Sequence, residues 1–167
     1  FNATMLIEEY KQVFRNKAFR RYFALNSMYT MAKGFYANSN QYFIRYIAQR
    51  FGYFNTLQSI AGASEASGFP INYLMTMKKG KQLCGKILTP IMAAGLIMNL
   101  FINKNTPLWV IIIAIFLYNF GFSGPGFTAT NIQPDVTDVD EMITGRRREG
   151  VISTFNTLIK KTINGLM

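Results

Sequence analysis

Between Asn105 and Pro134 the chain carries no Asp, Glu, Lys or Arg, and directly after this run come Asp135, Asp138, Asp140, Glu141, Arg146, Arg147, Arg148 and Glu149. At 1.5 Å of rise per helical residue, so long an uncharged run can cross a hydrocarbon core of roughly 30 Å. A soluble domain has little room to bury it. A bilayer accepts it as one helix whose charged end stands in water.

Composition points the same way. Hydrophobic residues make up 50% and aromatics 15% of the chain, more than a soluble domain of this length usually carries. The mean hydropathy of +0.11 is low for a bundle facing lipid on every side. Helices that line a water-filled cavity carry polar faces, which reconciles the two values. A net charge of +10 also raises nucleic-acid binding, but the basic residues stand in short groups at span ends and form no stripe with interleaved aromatics. Cys84 is the sole cysteine and histidine is absent, so an intrachain disulfide, zinc-ligand spacing and His-based catalytic triads are excluded. No enzyme activity, metal or cofactor is expected. The chain opens on Phe1 without a secretory signal and closes on Met167 inside a helical pattern, and it is read as a fragment.

The pattern predicts an amphipathic cytoplasmic linker over residues 1–18, with Leu6, Ile7, Tyr10 and Phe14 on one face, and transmembrane helices over about 19–47, 54–77, 83–103, 107–131 and 147–167. Small residues from Ala61 to Gly68 suit close helix approach, and Pro70 is expected to kink its span. The Gly121, Gly124, Pro125, Gly126 cluster is expected to mark a bend beside a cavity. Alternating the spans puts Lys11, Arg15, Lys17, Arg20, Arg21, Lys78, Lys79, Lys81 and Arg146 to Arg148 on one side, and Arg45, Arg50 and Lys104 on the other. The positive-inside rule then makes the loops 77–83 and 135–150 cytoplasmic.

The acidic stretch is not a calcium loop. Counted from Asp138, Met142 and Ile143 occupy positions that need an oxygen ligand and a glycine, and three arginines lie inside it. What remains is a solvated charge run or a gate, in which Asp135, Asp138, Glu141 and Arg147 make charge-assisted bonds that close the cytoplasmic end of a transporter. The spacing Asp-x-x-Asp-x-Asp-Glu from Asp135, followed by Thr144-Gly145-x-Arg147-Arg148-Glu149-Gly150, resembles the cytoplasmic loop between helices ten and eleven of the glycoside–pentoside–hexuronide:cation symporters, the melibiose-permease-like branch of the major facilitator superfamily. Met77-Lys78-Lys79-Gly80-Lys81 is similar to the second-half copy of that superfamily's basic loop, with the motif's Asp absent near Thr76; a plain basic turn is the alternative.

The resemblance implies an all-α membrane protein, part of a six-helix C-terminal half with about five of its transmembrane helices present. It further implies uptake of a sugar, glycoside or uronide with Na⁺ or H⁺ by alternating access, in the cell's inner (plasma) membrane. The coupling cation would bind mainly in an N-terminal half, which is the expected partner along with substrate and lipid bilayer, and this chain alone is not expected to transport. Lysophospholipid symport and a non-transporting module that binds anionic lipid are the rivals.

Two further site readings follow. Thr157 and Lys161 lie one helical turn apart on one face, and with Asn156 they resemble the amide, Thr and Lys that face the sugar cavity in melibiose permeases, with Asn156 in place of Gln. Snorkelling of Lys160 and Lys161 to the interface is the alternative for the lysine. Lys33 and Glu65 each fall in the middle of a span, where mutual pairing would lower the cost of both. Tyr29, Tyr36, Tyr42 and Tyr118 are candidates for stacking on a pyranose face.

Overall fold

The computed structural model describes residues 3–166. Phe1, Asn2 and Met167, and with them the outer ends of the expected linker and fifth span, lie outside the described residues, as do the side chains of Leu6 and Ile7. The protein is all-α: α1 Ala3–Arg15, α2 Lys17–Tyr42, α3 Phe54–Lys79, α4 Lys81–Leu100, α5 Leu108–Thr144 and α6 Glu149–Leu166. A π-helical turn, Phe43–Ile47, and a short 3₁₀ turn, Phe51–Tyr53, carry the chain from α2 to α3. Among the described residues, two helices are long and apolar enough to cross a membrane, over Leu83–Leu100 and Leu108–Thr144.

The chain forms two compact units, one from residues 1–35 and 129–167 and the other from residues 36–128. In the first, Val13, Phe19, Tyr22, Val136 and Ile152 are buried together, with Phe23, Ile132, Val151 and Phe155 packed on them. Edge-to-face contacts join Tyr10, Phe14 and Phe155 at ring separations of 4.9–5.0 Å, an arrangement that aligns the positive ring edge with a negative ring face. These contacts seat α1 on α6.

In the second unit Ile44, Ala48, Leu57, Ala61, Ile102, Ile111, Ala114 and Ile115 make the core. Pro70 inside α3 and Pro90 inside α4 each remove one backbone donor from their helix. Close to Pro70, Asn72 is fully buried; its Nδ2 donates to Ser123 Oγ at 3.0 Å, while Cys84 Sγ donates to the Asn72 carbonyl at 3.3 Å. Thr76 Oγ1 lies 3.2 Å from the same sulfur. These bonds tie α3, α4 and α5 together with polar links of the kind that hold helices in lipid, where apolar burial gives no net drive.

Helix α5 runs on through the Gly121–Gly126 cluster and beyond the expected end of its span to Thr144. Asp135, Asp138, Asp140 and Glu141 therefore stand on its last three turns, in helix, where the sequence suggested loop. Gly121 and Gly124 are contact points with α4: a Cβ on Gly124 would lie 2.6 Å from Leu88 Cβ.

Candidate functional site

The polar features of the first unit gather where α1, α2, α5 and α6 supply buried side chains. Helix α6 builds its share by periodicity. Arg148, Ile152, Asn156, Ile159 and Ile163 recur at intervals of three and four and are all buried, so they form the inward stripe of an amphipathic helix. Thr157, Leu158, Lys160 and Lys161 are exposed on the other faces.

Asn156 has both ends of its amide engaged. Its Oδ1 accepts from Asn26 Nδ2 at 3.1 Å, and its Nδ2 donates to the Tyr22 hydroxyl at 3.0 Å, which in turn donates to Gln133 Oε1 at 3.3 Å. The result is one directed chain of donors, Asn26 to Asn156 to Tyr22 to Gln133, across three helices. In a low-dielectric interior such chains fix side-chain orientation and make each missing partner costly. Asn156 thus sits apart from the residues it was grouped with. Thr157 donates to the Ser153 carbonyl at 3.0 Å and Lys161 is exposed, so those two share an outward face and Asn156 looks inward.

The charged end of α5 divides in the same manner. Asp138 and Arg147 are exposed, as is Asp135, and Glu141 is half-buried. Arg147 Nε lies 3.4 Å from Glu149 Oε2 with both side chains well over half exposed, a surface pair worth about 0–1 kcal/mol. The buried pair is a different one. Arg148 Nε lies 3.7 Å from Asp140 Oδ2, the two side chains being 6% and 1% exposed, and Asn16 Nδ2 donates to Asp140 Oδ1 at 3.2 Å. At 3.7 Å the ionic contact is beyond hydrogen-bond distance, so Asp140 Oδ2 and Arg148 Nε and Nη1 are buried without a hydrogen-bond partner.

The local sequence explains how Arg148 returns to Asp140. Gly145 takes φ +66°, the left-handed conformation that commonly closes a helix and that a Cβ disfavours. Its N–H donates to the Glu141 carbonyl at 2.8 Å, and Thr144 Oγ1 donates to the Asp140 carbonyl at 2.7 Å. The Thr-Gly pair thereby stops α5 and reverses the chain. Arg148 then caps α6 with its carbonyl, which accepts from the N–H groups of Val151 and Ile152. Asn16 does the same work between α1 and α2, its Oδ1 accepting from the Ala18 N–H at 2.9 Å.

Sequence reasoning passed over Asp140 and Arg148 as functional residues, although a signal was present. Ile132, Val136 and Asp140 are spaced by four on α5, and Arg148, at the residue before α6, is spaced by four from Ile152 and Asn156 within it, so both charges extend apolar stripes.

The remaining candidates belong to other helices. Lys33 is exposed on α2 in the first unit, and Glu65 is half-buried on α3 in the second. In the second unit Tyr36 and Tyr118 stack on each other, with ring centroids 3.6 Å apart and planes 25° from parallel. Tyr42 is exposed and lies beside Tyr46, and Tyr29 is half-buried.

A family model described as MFS/sugar transport protein matches residues 1–167. No curated protein and no solved structure matches the chain.

Proposed function

The chain belongs to the MFS/sugar transport protein family, and from that premise we propose that it supplies most of the C-terminal half of a symporter that moves a sugar, glycoside or uronide together with Na⁺ or H⁺ by alternating access. Its partner is an N-terminal half that holds the coupling cation and closes the cavity. What carries the reading is the family match over the whole chain. It is supported by the division of polar groups in the first unit, where buried networks fix the helices while other charged residues remain at the surface.

In this reading the two sets have different tasks. The buried Asp140–Arg148 pair and the Asn26–Asn156–Tyr22–Gln133 relay hold α1, α2, α5 and α6 in register. Asp135, Asp138, Glu141 and Arg147 form the cytoplasmic gate, making and breaking charge-assisted bonds with the other half as the protein alternates. Thr157 and Lys161 face substrate, with Asn156 positioning the helix that carries them. Lys33 and Glu65 pair within the bundle, and their pairing lowers the cost of both charges.

Uptake measurements on the intact symporter test the substrate-facing role. Lys161→Ala is expected to weaken cation-driven uptake of a labelled glycoside by about ten- to a hundredfold at normal expression, the worth of one hydrogen bond to a charged group. Lys160→Ala, about 100° around the helix, is expected to change it little. Equal small losses at both positions would assign both lysines to the interface.

In this reading the protein sits in the plasma membrane, and the charge asymmetry between the two ends of its helices supports segments 77–83 and 135–150 facing the cytoplasm. With Cys84→Ser as background, an impermeant maleimide added to intact cells should label Asn105→Cys and spare Lys79→Cys. The reverse pattern would invert the topology.

A further inference from the structure

No Asp or Glu occurs between Glu9 and Glu65, yet Arg45 and Arg50 stand together where α2 passes into α3. Glu65 lies about 16 Å along α3 from its start at Phe54, at 1.5 Å per residue, too far for either arginine to reach. Neither arginine forms an ion pair among the described residues. Arg50 is half-buried, and its Nε meets no hydrogen-bond acceptor there. Two uncompensated cations at the helix end opposite Lys78 run against the usual charge bias of membrane proteins, so their placement needs a physical reason.

The turn directs one of them outward. Ile44 and Ala48 are buried in a core with Leu57, Ile102 and Ile111, and the N–H groups of Ala48 and Arg50 donate to the Phe43 and Ile44 carbonyls, both at 3.0 Å. Arg45, Tyr46 and Ile47, between those two anchors, are exposed. Gln49 then takes φ +52°, a left-handed conformation uncommon for a residue with a Cβ, and the chain turns back so that Phe51 meets Arg45. The Arg45 guanidinium carbon stands 5.3 Å from the Phe51 ring centroid and 5.5 Å from that of Tyr46. Cation–π contacts of this kind hold the planar guanidinium in place, and no hydrogen bond among the described residues engages its N–H groups. It is therefore oriented for an acceptor that the protein itself does not supply.

The surroundings say what that acceptor is attached to. Tyr42, Tyr46, Ile47, Phe51 and Tyr53 are all exposed, with Tyr42 stacked on Tyr46 at 6.2 Å and Phe51 on Phe54 at 5.7 Å. Amphipathic rings collect where a membrane protein meets the headgroup layer, and the guanidinium fork matches a phosphate with two parallel hydrogen bonds. Cations ringed by exposed apolar groups fit a molecule that is anionic at one end and apolar at the other. The lack of any nearby carboxylate favours a headgroup without an ammonium group. We propose that the turn between α2 and α3 binds the phosphodiester of phosphatidylglycerol on Arg45, with Arg50 adding charge and the acyl chains running back along α2 past Tyr42. The proposal rests on the chain lying in a membrane and is independent of what it transports.

The sole tryptophan gives a local reading. Trp109 is exposed two residues before Ile111, which packs with Ile44 and Ala48, so it reports on lipid at this end of the unit. The full chain is reconstituted in phosphatidylcholine vesicles carrying brominated phosphatidylglycerol or, in parallel, brominated phosphatidylcholine, and quenching of Trp109 fluorescence is followed against mole fraction. Phosphatidylglycerol is expected to associate about five- to thirtyfold more strongly, at about fivefold for each arginine near the surface. Arg45→Gln should lower that preference about fivefold, and the double variant Arg45→Gln, Arg50→Gln should abolish it. Arg45 is exposed, so its replacement alone decides the matter should the double variant fail to fold. Lys104→Gln, an exposed cation in the next turn on the same unit, should change the preference little. Equal quenching by the two lipids, or a preference that survives Arg45→Gln, overturns the proposal. A loss as large for Lys104→Gln as for Arg45→Gln also overturns it, because diffuse attraction would then suffice. Glycerol 1-phosphate, the same phosphate without acyl chains, should not displace the lipid; displacement would assign the site to a soluble phosphate instead. Cation-driven uptake through Lys161 is a separate measurement, so this site and the transport reading can fail separately.

Discussion

Replacing Asp140 or Arg148 by Ala should destabilise the protein by about 3–5 kcal/mol, whereas Arg147→Ala should cost no more than about 1 kcal/mol. The two arginines are adjacent in sequence and differ only in where the chain reversal at Gly145 sends them. Arg147 and Glu149 are both well over half exposed, and water screens their attraction. Arg148 and Asp140 are 6% and 1% exposed, and removal of either leaves a charge buried with no counter-charge. The surviving aspartate would keep the Asn16 amide at 3.2 Å, and the surviving guanidinium would lose the Asp140 carboxylate. Thermal unfolding of the purified protein in detergent reads the difference. The double variant Asp140→Leu, Arg148→Met removes both charges and leaves apolar side chains, so it should recover much of the loss. If Arg147→Ala and Arg148→Ala unfold alike, the pair is not buried in the folded protein and the assignment of Asp140 and Arg148 to the framework of the gate is lost.

The contrast also shows what the sequence could convey. An uncharged run ending at Pro134 is a one-dimensional signal, as are the basic groups at helix ends, and both were legible; the Thr144-Gly145 helix stop was not, because residues 135–150 read as one charged loop. Which arginine of three consecutive ones turns inward depends on the φ of +66° at Gly145 and on the phase of α6, and so on geometry beyond any single motif. Periodicity held part of the answer without being used: Asn156 falls on the stripe of Ile152 and Ile159, a placement that points to the interior, whereas the resemblance set it beside Thr157 and Lys161. The resemblance grouped three residues by motif, whereas the helix sorts them by angle, two outward and one inward. The Asn26, Tyr22 and Gln133 partners of Asn156 were not legible, because they come from positions more than 20 residues distant in sequence and share no pattern with it.

Gly121→Val should cost about 3 kcal/mol or more, at or beyond the upper end of overpacking changes, because the atoms in the way are backbone. A Cβ at Gly121 would run into Met92 N, 2.7 Å from Met92 Cα and 2.8 Å from the Leu88 carbonyl oxygen. A side chain can rotate away from such a clash; a helix backbone can yield only if α4 and α5 separate along their length. The reciprocal glycine on α4 makes this a shared device, since a Cβ at Gly95 would lie 2.5 Å from Tyr118 N and 2.8 Å from its Cα. Close approach through small residues lets two helices gain van der Waals contact where lipid offers no hydrophobic drive. Gly62 is the control. It stands exposed on α3 with nothing within 4 Å of an added Cβ, so Gly62→Ala should stabilise the helix by about 0.5–1 kcal/mol. Melting temperatures that move in opposite directions for Gly121→Val and Gly62→Ala are the expected result, and equal shifts would mean that α4 and α5 are not in this contact.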